Sequence, residues 1–137
     1  MKLHINKNTT IAEMQTDFSK LFPFLKIEFF TRPREADGSL WSNHMVFIRT
    51  KTMDEIVQIK ADENTIEINP SMTVNAFEQQ LQNEFGLSVQ VFRKSMGTWI
   101  ATTESDSWTF AKQNEKGEEA ATNIPEMIYI GRDNQED

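Results

Sequence analysis

Ile66-Glu67-Ile68-Asn69, three intervening residues, then Thr73-Val74 is the stretch that decides the fold, because the chain has already run through the same pattern once. Near its start stand Leu3-His4-Ile5-Asn6, three intervening residues, then Thr10-Ile11. From these openings the two copies keep step. Ile11, Met14, Phe18 and Phe22 recur at intervals of three and four, and so do Val74, Phe77, Leu81 and Phe85. That spacing lays each set along one helical face. Thr10 and Glu13 have the spacing of a capping box, whereas Thr73 can cap its helix but Ala76 cannot complete the box. Pro23 after Phe22 and Gly86 after Phe85 stop the two helices. Proline restricts the residue before it, and glycine takes the left-handed cap conformation.

Each predicted helix leads into an alternating strand. Lys26-Ile27-Glu28-Phe29-Phe30 answers to Ser88-Val89-Gln90-Val91-Phe92. Ile27 and Phe29 share one face with their counterparts Val89 and Val91, while Phe30 and Phe92 take the other. A basic turn and a tryptophan follow in both copies. The first reads Arg32-Pro33-Arg34, a Gly38 turn and Leu40-Trp41, and the second reads Arg93-Lys94, a Gly97 turn and Thr98-Trp99. The expected class is therefore α+β, with two duplicated βαββ-type, ferredoxin-like units whose helices pack on an antiparallel or mixed sheet.

The remaining segments complete the two units. His44-Met45-Val46-Phe47-Ile48 is expected as a third strand in unit one. Thr52-Met53-Asp54-Glu55 begins a helical turn, and Ile56-Val57-Gln58-Ile59 alternates weakly as a strand. Asp62-Glu63-Asn64 reads as a turn. In unit two, Trp99-Ile100-Ala101-Thr102 is a strand. Ser105-Asp106-Ser107 opens a helix through Lys116, with Gly117 as its stop. Met127-Ile128-Tyr129-Ile130 follows Pro125 as a last strand. Unit one spans 1–60 and unit two spans 64–131, in one compact domain of 1–131. Residues 132–137 form an acidic tail expected to be disordered.

The run Phe85-Gly86-Leu87-Ser88-Val89-Gln90-Val91-Phe92-Arg93-Lys94-Ser95, with Trp99 and then Ser107-Trp108-Thr109-Phe110-Ala111-Lys112-Gln113-Asn114-Glu115-Lys116-Gly117, resembles short hypothetical proteins of Bacteroidetes-type bacteria. The resemblance covers about a quarter of the chain. It implies a bacterial cytoplasmic protein and assigns no activity or functional residues.

Composition bounds the chemistry. The 137 residues fit one domain, and ten Phe, three Trp and seven Met supply a core without crosslinks. No cysteine is present, which excludes disulfides, thiolate metal sites and cysteine nucleophiles. A net charge of −7 disfavours nucleic acid and anionic membranes as partners. No apolar run is long enough for a membrane helix, and Met1-Lys2-Leu3-His4-Ile5-Asn6-Lys7 lacks the apolar stretch of a secretory signal, so a cytoplasmic place is expected.

No phosphate loop, dinucleotide glycine pattern, zinc-protease motif or EF-hand occurs, so no cofactor is expected. His4 and His44 are the only imidazoles. Glu104, Asp106, Glu118 and Glu119 make the C-terminal third acidic. The pattern that both copies keep is basic and aromatic, with Phe30, Arg32, Arg34 and Trp41 answering to Phe92, Arg93, Lys94 and Trp99. Guanidinium and ammonium groups beside aromatic rings bind carboxylates, phosphates or stacked bases. Charges at strand ends also protect sheet edges. These residues define the expected site of a non-enzymatic protein-interaction module whose partner is unnamed. One alternative is a small-ligand or anion site between the units. Another is a hydrolase-like enzyme using His44 with Glu104 or Asp106.

Overall fold

The computed structural model describes residues 1–34, 41–57 and 64–121. The chain is an α+β protein whose described strand pairings are all antiparallel. Strand β1 (Lys2–Ile5) leads to helix α1 (Ile11–Leu21) and strand β2 (Leu25–Phe30), followed by a 3-10 turn at Trp41–His44 and the short helix α2 (Met53–Ile56). Strand β3 (Asn64–Glu67), helix α3 (Val74–Phe85) and the hairpin of β4 (Ser88–Ser95) and β5 (Thr98–Ala101) come next. After a 3-10 turn at Thr103–Ser105, a helix we label α4 occupies 110–121.

Among the described residues the strands form two sheets, each of which joins strands of both units. β1 pairs with β3 across the two units, and the other sheet runs β2-β4-β5. The expected strand 127–130, the segment 58–63 and the tail 132–137 lie outside the described residues. Each cross-unit ladder contains one pair of corresponding residues. Leu3 lies opposite Ile66, and Glu28 lies opposite Gln90. Loop bonds match as well: Ile11 N donates to Lys51 O and Val74 N to Trp108 O, while Thr10 bridges Thr52 and Thr73 bridges Thr109. By these pairings α2 answers to the first turn of α4.

The two apolar helix stripes and the inner faces of the strands form one core. Phe18, Phe77 and Phe110 are fully buried, with ring centroids 5.3–5.6 Å apart in stacked and edge contacts. Phe22 stacks on Phe110 at 4.8 Å. Replacing a buried phenylalanine of this kind by alanine costs about 3–5 kcal/mol. The helix ends follow the expected chemistry. Thr10 and Glu13 form a full capping box, Thr73 Oγ1 accepts from Ala76 N, and Gly86 holds the left-handed cap at φ 68°.

Two expectations are corrected. Unit one has no full third strand: Met45 forms a single bridge to Phe30, and Val46 N donates to Phe29 O. Phe47 and Ile48 then turn outward and are exposed. Helix α4 does not begin at Ser105, since Thr109 caps it by accepting from Lys112 N. Nor does Gly117 stop it. Gly117 sits within the helix against Phe24, whose Cβ would lie 2.8 Å from an added Cβ, so a close approach explains the glycine.

Candidate functional site

The helices present a second, polar stripe beside the apolar one. On α1 it consists of Gln15, Thr16, Ser19 and Lys20, and on α3 of Glu78, Gln79, Gln82 and Asn83. Residues at these intervals share a helix face. Each stripe forms one wall of a cleft, and the adjoining strand adds Lys26 and Glu28 in the first and Ser88 and Gln90 in the second. All of these occupy corresponding positions in the two units. A tryptophan from the opposite unit covers each: Trp99 at the α1 cleft and Trp41 at the α3 cleft. Because Glu28 and Gln90 are a cross-strand pair, the clefts meet the sheet side by side.

The α1 cleft, of about 590 Å³, is cationic. Lys20, Lys26 and Arg49 line it, against the single carboxylate of Glu28. Lys26 Nζ lies 3.3 Å from Glu28 Oε1 and 5.2 Å from the Trp99 ring, and Lys94 Nζ lies 4.9 Å from the same ring. Trp99 therefore holds ammonium groups by cation–π attraction. Gln15, buried at the base, donates through Nε2 to Ile27 O at 2.9 Å. Its Oε1 accepts from Arg49 Nε at 2.7 Å, which orients the guanidinium.

The α3 cleft, of about 220 Å³, carries one cation, Arg34, and one carboxyl, Glu78. Glu78 accepts from Val91 N at 2.8 Å and from Gln90 Nε2 at 3.3 Å. Burial pushes its carboxyl up from 4.5 to about 7. The Val91 N–H opposes the rise, Asp106 adds to it and Arg34 reduces it. Trp41 stacks on Phe30 at 3.7 Å, and its Nε1 donates to Arg32 O at 2.6 Å.

The expected site residues thus fall in different places. Arg34 and Trp41 line the α3 cleft and Trp99 lines the α1 cleft. Phe30 is buried beneath Trp41 and offers no surface. Arg32 is exposed outside both cleft walls. Phe92 is half-buried near Lys26. Lys94 meets Trp99, but Arg93 points elsewhere, its Nη1 donating to buried Gln113 at 2.8 Å while its guanidinium lies over Trp108. Among the described residues His44 has no carboxylate within ion-pairing distance, and no cluster of His, Asp or Glu has the form of a metal site.

Lys20, Lys26, Arg49, Gln15 and Glu78 escaped the sequence reading. Their one visible signal is the polar stripe bordering each apolar stripe, with Gln15 and Glu78 at the same place in both. No protein-family profile, curated protein or solved structure matches the chain. Among the described residues no helix is long and apolar enough to cross a membrane.

Proposed function

We propose that this protein is a non-enzymatic binding domain that takes a small oxyanion, a phosphate or carboxylate, in the α1 cleft. The observation that carries the reading is the convergence of Lys20, Lys26 and Arg49 on one concavity in a chain of net charge −7. Concave walls focus such a local field against an opposing overall charge. Arg49, fixed through Nε by Gln15, suits planar recognition of an oxyanion, while the lysines add point charges. Trp99 serves to place the lysine ammoniums. The interaction-module alternative asks for Phe30, Arg32, Trp41, Phe92, Arg93 and Trp99 on one surface. The burial of Phe30 and the pinning of Arg93 to Gln113 weigh against it.

Titration calorimetry with inorganic phosphate and with citrate at low salt tests the reading. Saturable binding should weaken at least about ten-fold in Arg49→Ala and Lys26→Ala, and also on adding salt, while Arg32→Ala leaves it unchanged. No saturable signal from either anion at about 10 mM would refute it.

A further inference from the structure

Two loops hold corresponding places in the two units, yet their surfaces differ in kind. Ile11 N and Ala12 N donate to Lys51 O and Arg49 O, as Val74 N and Asn75 N donate to Trp108 O and Asp106 O. A turn precedes each anchor: Lys51 N donates to Ile48 O at 3.2 Å, and Trp108 N to Ser105 O at 2.9 Å. Ile48 therefore answers to Ser105, and Phe47 to Glu104. Unit two carries a carboxylate and a hydroxyl at this place, whereas unit one carries two large apolar side chains, 76% and 58% exposed. The same backbone anchors hold with polar side chains in unit two, so the fold does not require apolar ones here. Nor is the exposure that of a loose loop, since two of its carbonyls are bonded to the first turn of α1.

Phe47 and Ile48 line a cavity of about 330 Å³ together with Met45, Val46 and Ile56. The same cavity carries one cation and one anion, Lys51 and Glu55. Glu55 Oε1 accepts from Thr52 N and from Thr52 Oγ1, which fixes the carboxylate at the start of α2. Among the described residues Lys51 has no carboxylate within ion-pairing distance. The patch thus holds an exposed ring and an apolar hollow, and a cation and an anion that cancel. Such a surface is complementary to itself. A two-fold axis through it sets Phe47 of one copy against the hollow of the other and brings each Lys51 to the other copy's Glu55.

We propose that the Phe47–Ile48 patch is a homodimer interface, on which a second copy of this chain docks by the same patch about a two-fold axis. The interface is independent of the anion site, because no residue of the patch lines the α1 cleft. Eight residues line the patch, well below the roughly 20–30 a side of a standard stable interface. The dimer should therefore be weak and reversible, with a Kd of about 10–500 µM.

The test is sedimentation velocity of the full chain from about 10 µM to about 1 mM. Wild type should pass from monomer to dimer and no further, since a two-fold contact closes on itself. Phe47→Ser should weaken the association at least about ten-fold and leave urea unfolding unchanged, because the ring is exposed. Lys51→Glu, which sets a carboxylate against the other copy's Glu55, should weaken it by about as much. Adding Glu55→Gln, which keeps the capping box of α2, should restore part of that loss. Ile100→Ser removes an exposed apolar side chain outside the patch and should change nothing. A chain that stays monomeric at about 1 mM would overturn the proposal and leave the patch to a different protein. Assemblies larger than a dimer, or a dimer indifferent to Phe47→Ser, would overturn it as well.

Discussion

Positions 15 and 78 occupy the same place on α1 and α3, at the base of two clefts built to one plan, yet one is an amide and the other a carboxylic acid. The backbone that each side chain meets accounts for the difference. Gln15 faces the carbonyl of Ile27 and must donate, whereas Glu78 faces the N–H of Val91 and must accept. An amide satisfies the first strand edge and also offers Oε1 to Arg49. A carboxyl satisfies the second. The surroundings then diverge, with Lys20 and Lys26 beside Gln15 but Asn83 and Ser88 beside Glu78. A reversal of backbone polarity at the cleft base thus accompanies the change in the charge of the cleft walls.

Exchanging the two residues should break this pairing unequally. Gln15→Glu removes the donor to Ile27 O and sets a carboxylate against a carbonyl. Arg49 offsets part of the loss, and urea unfolding should show a net cost of about 1–3 kcal/mol. The cost should be smaller at pH 5 than at pH 8, since a protonated Glu can donate. Glu78→Gln keeps an acceptor for Val91 N and removes the burial of a charge. Between 4.5 and about 7 the folded protein holds a proton on Glu78 that the unfolded chain has released, so the wild type loses stability as pH rises through that window. Discounted for the partial exposure of the residue, the variant should gain about 1–2 kcal/mol at pH 8 and nearly nothing at pH 4. Equal stability curves for variant and wild type would remove the strain assigned to Glu78.

The helix caps give a smaller test of the two halves. Thr10→Ala loses the hydroxyl that accepts from Glu13 N and donates to Glu13 Oε1, whereas Thr73→Ala loses only the bond from Ala76 N. Thermal unfolding should show losses of about 1 and about 0.5 kcal/mol respectively. A larger loss at Thr73 would reverse the ranking.

Much of the frame was legible because periodicity reports which side faces the core. The stripes of α1 and α3, their caps and the inner faces of β2 and β4 all follow from spacing alone. The α4 start was misplaced because Ser105 and Asp106 look like cap residues, yet the chain uses them in a 3-10 turn and to feed α3, where Asn75 N donates to Asp106 O. Phe47 and Ile48 continue an apolar run by composition, but only Met45 and Val46 reach β2. The clefts were harder to read. Lys20, Lys26 and Arg49 come from a helix, a strand and a loop, and only the cross-unit pairing brings them to Trp99. A tryptophan that covers the opposite unit leaves no local pattern to find.

The central claim, an oxyanion site in the α1 cleft that the corresponding α3 cleft does not share, is tested most directly by the indole N–H signals during titration with phosphate. The account predicts that phosphate moves Trp99, which lines the α1 cleft, and leaves Trp41, which lines the α3 cleft, in place. Movement of Trp41, or of neither indole, would contradict it.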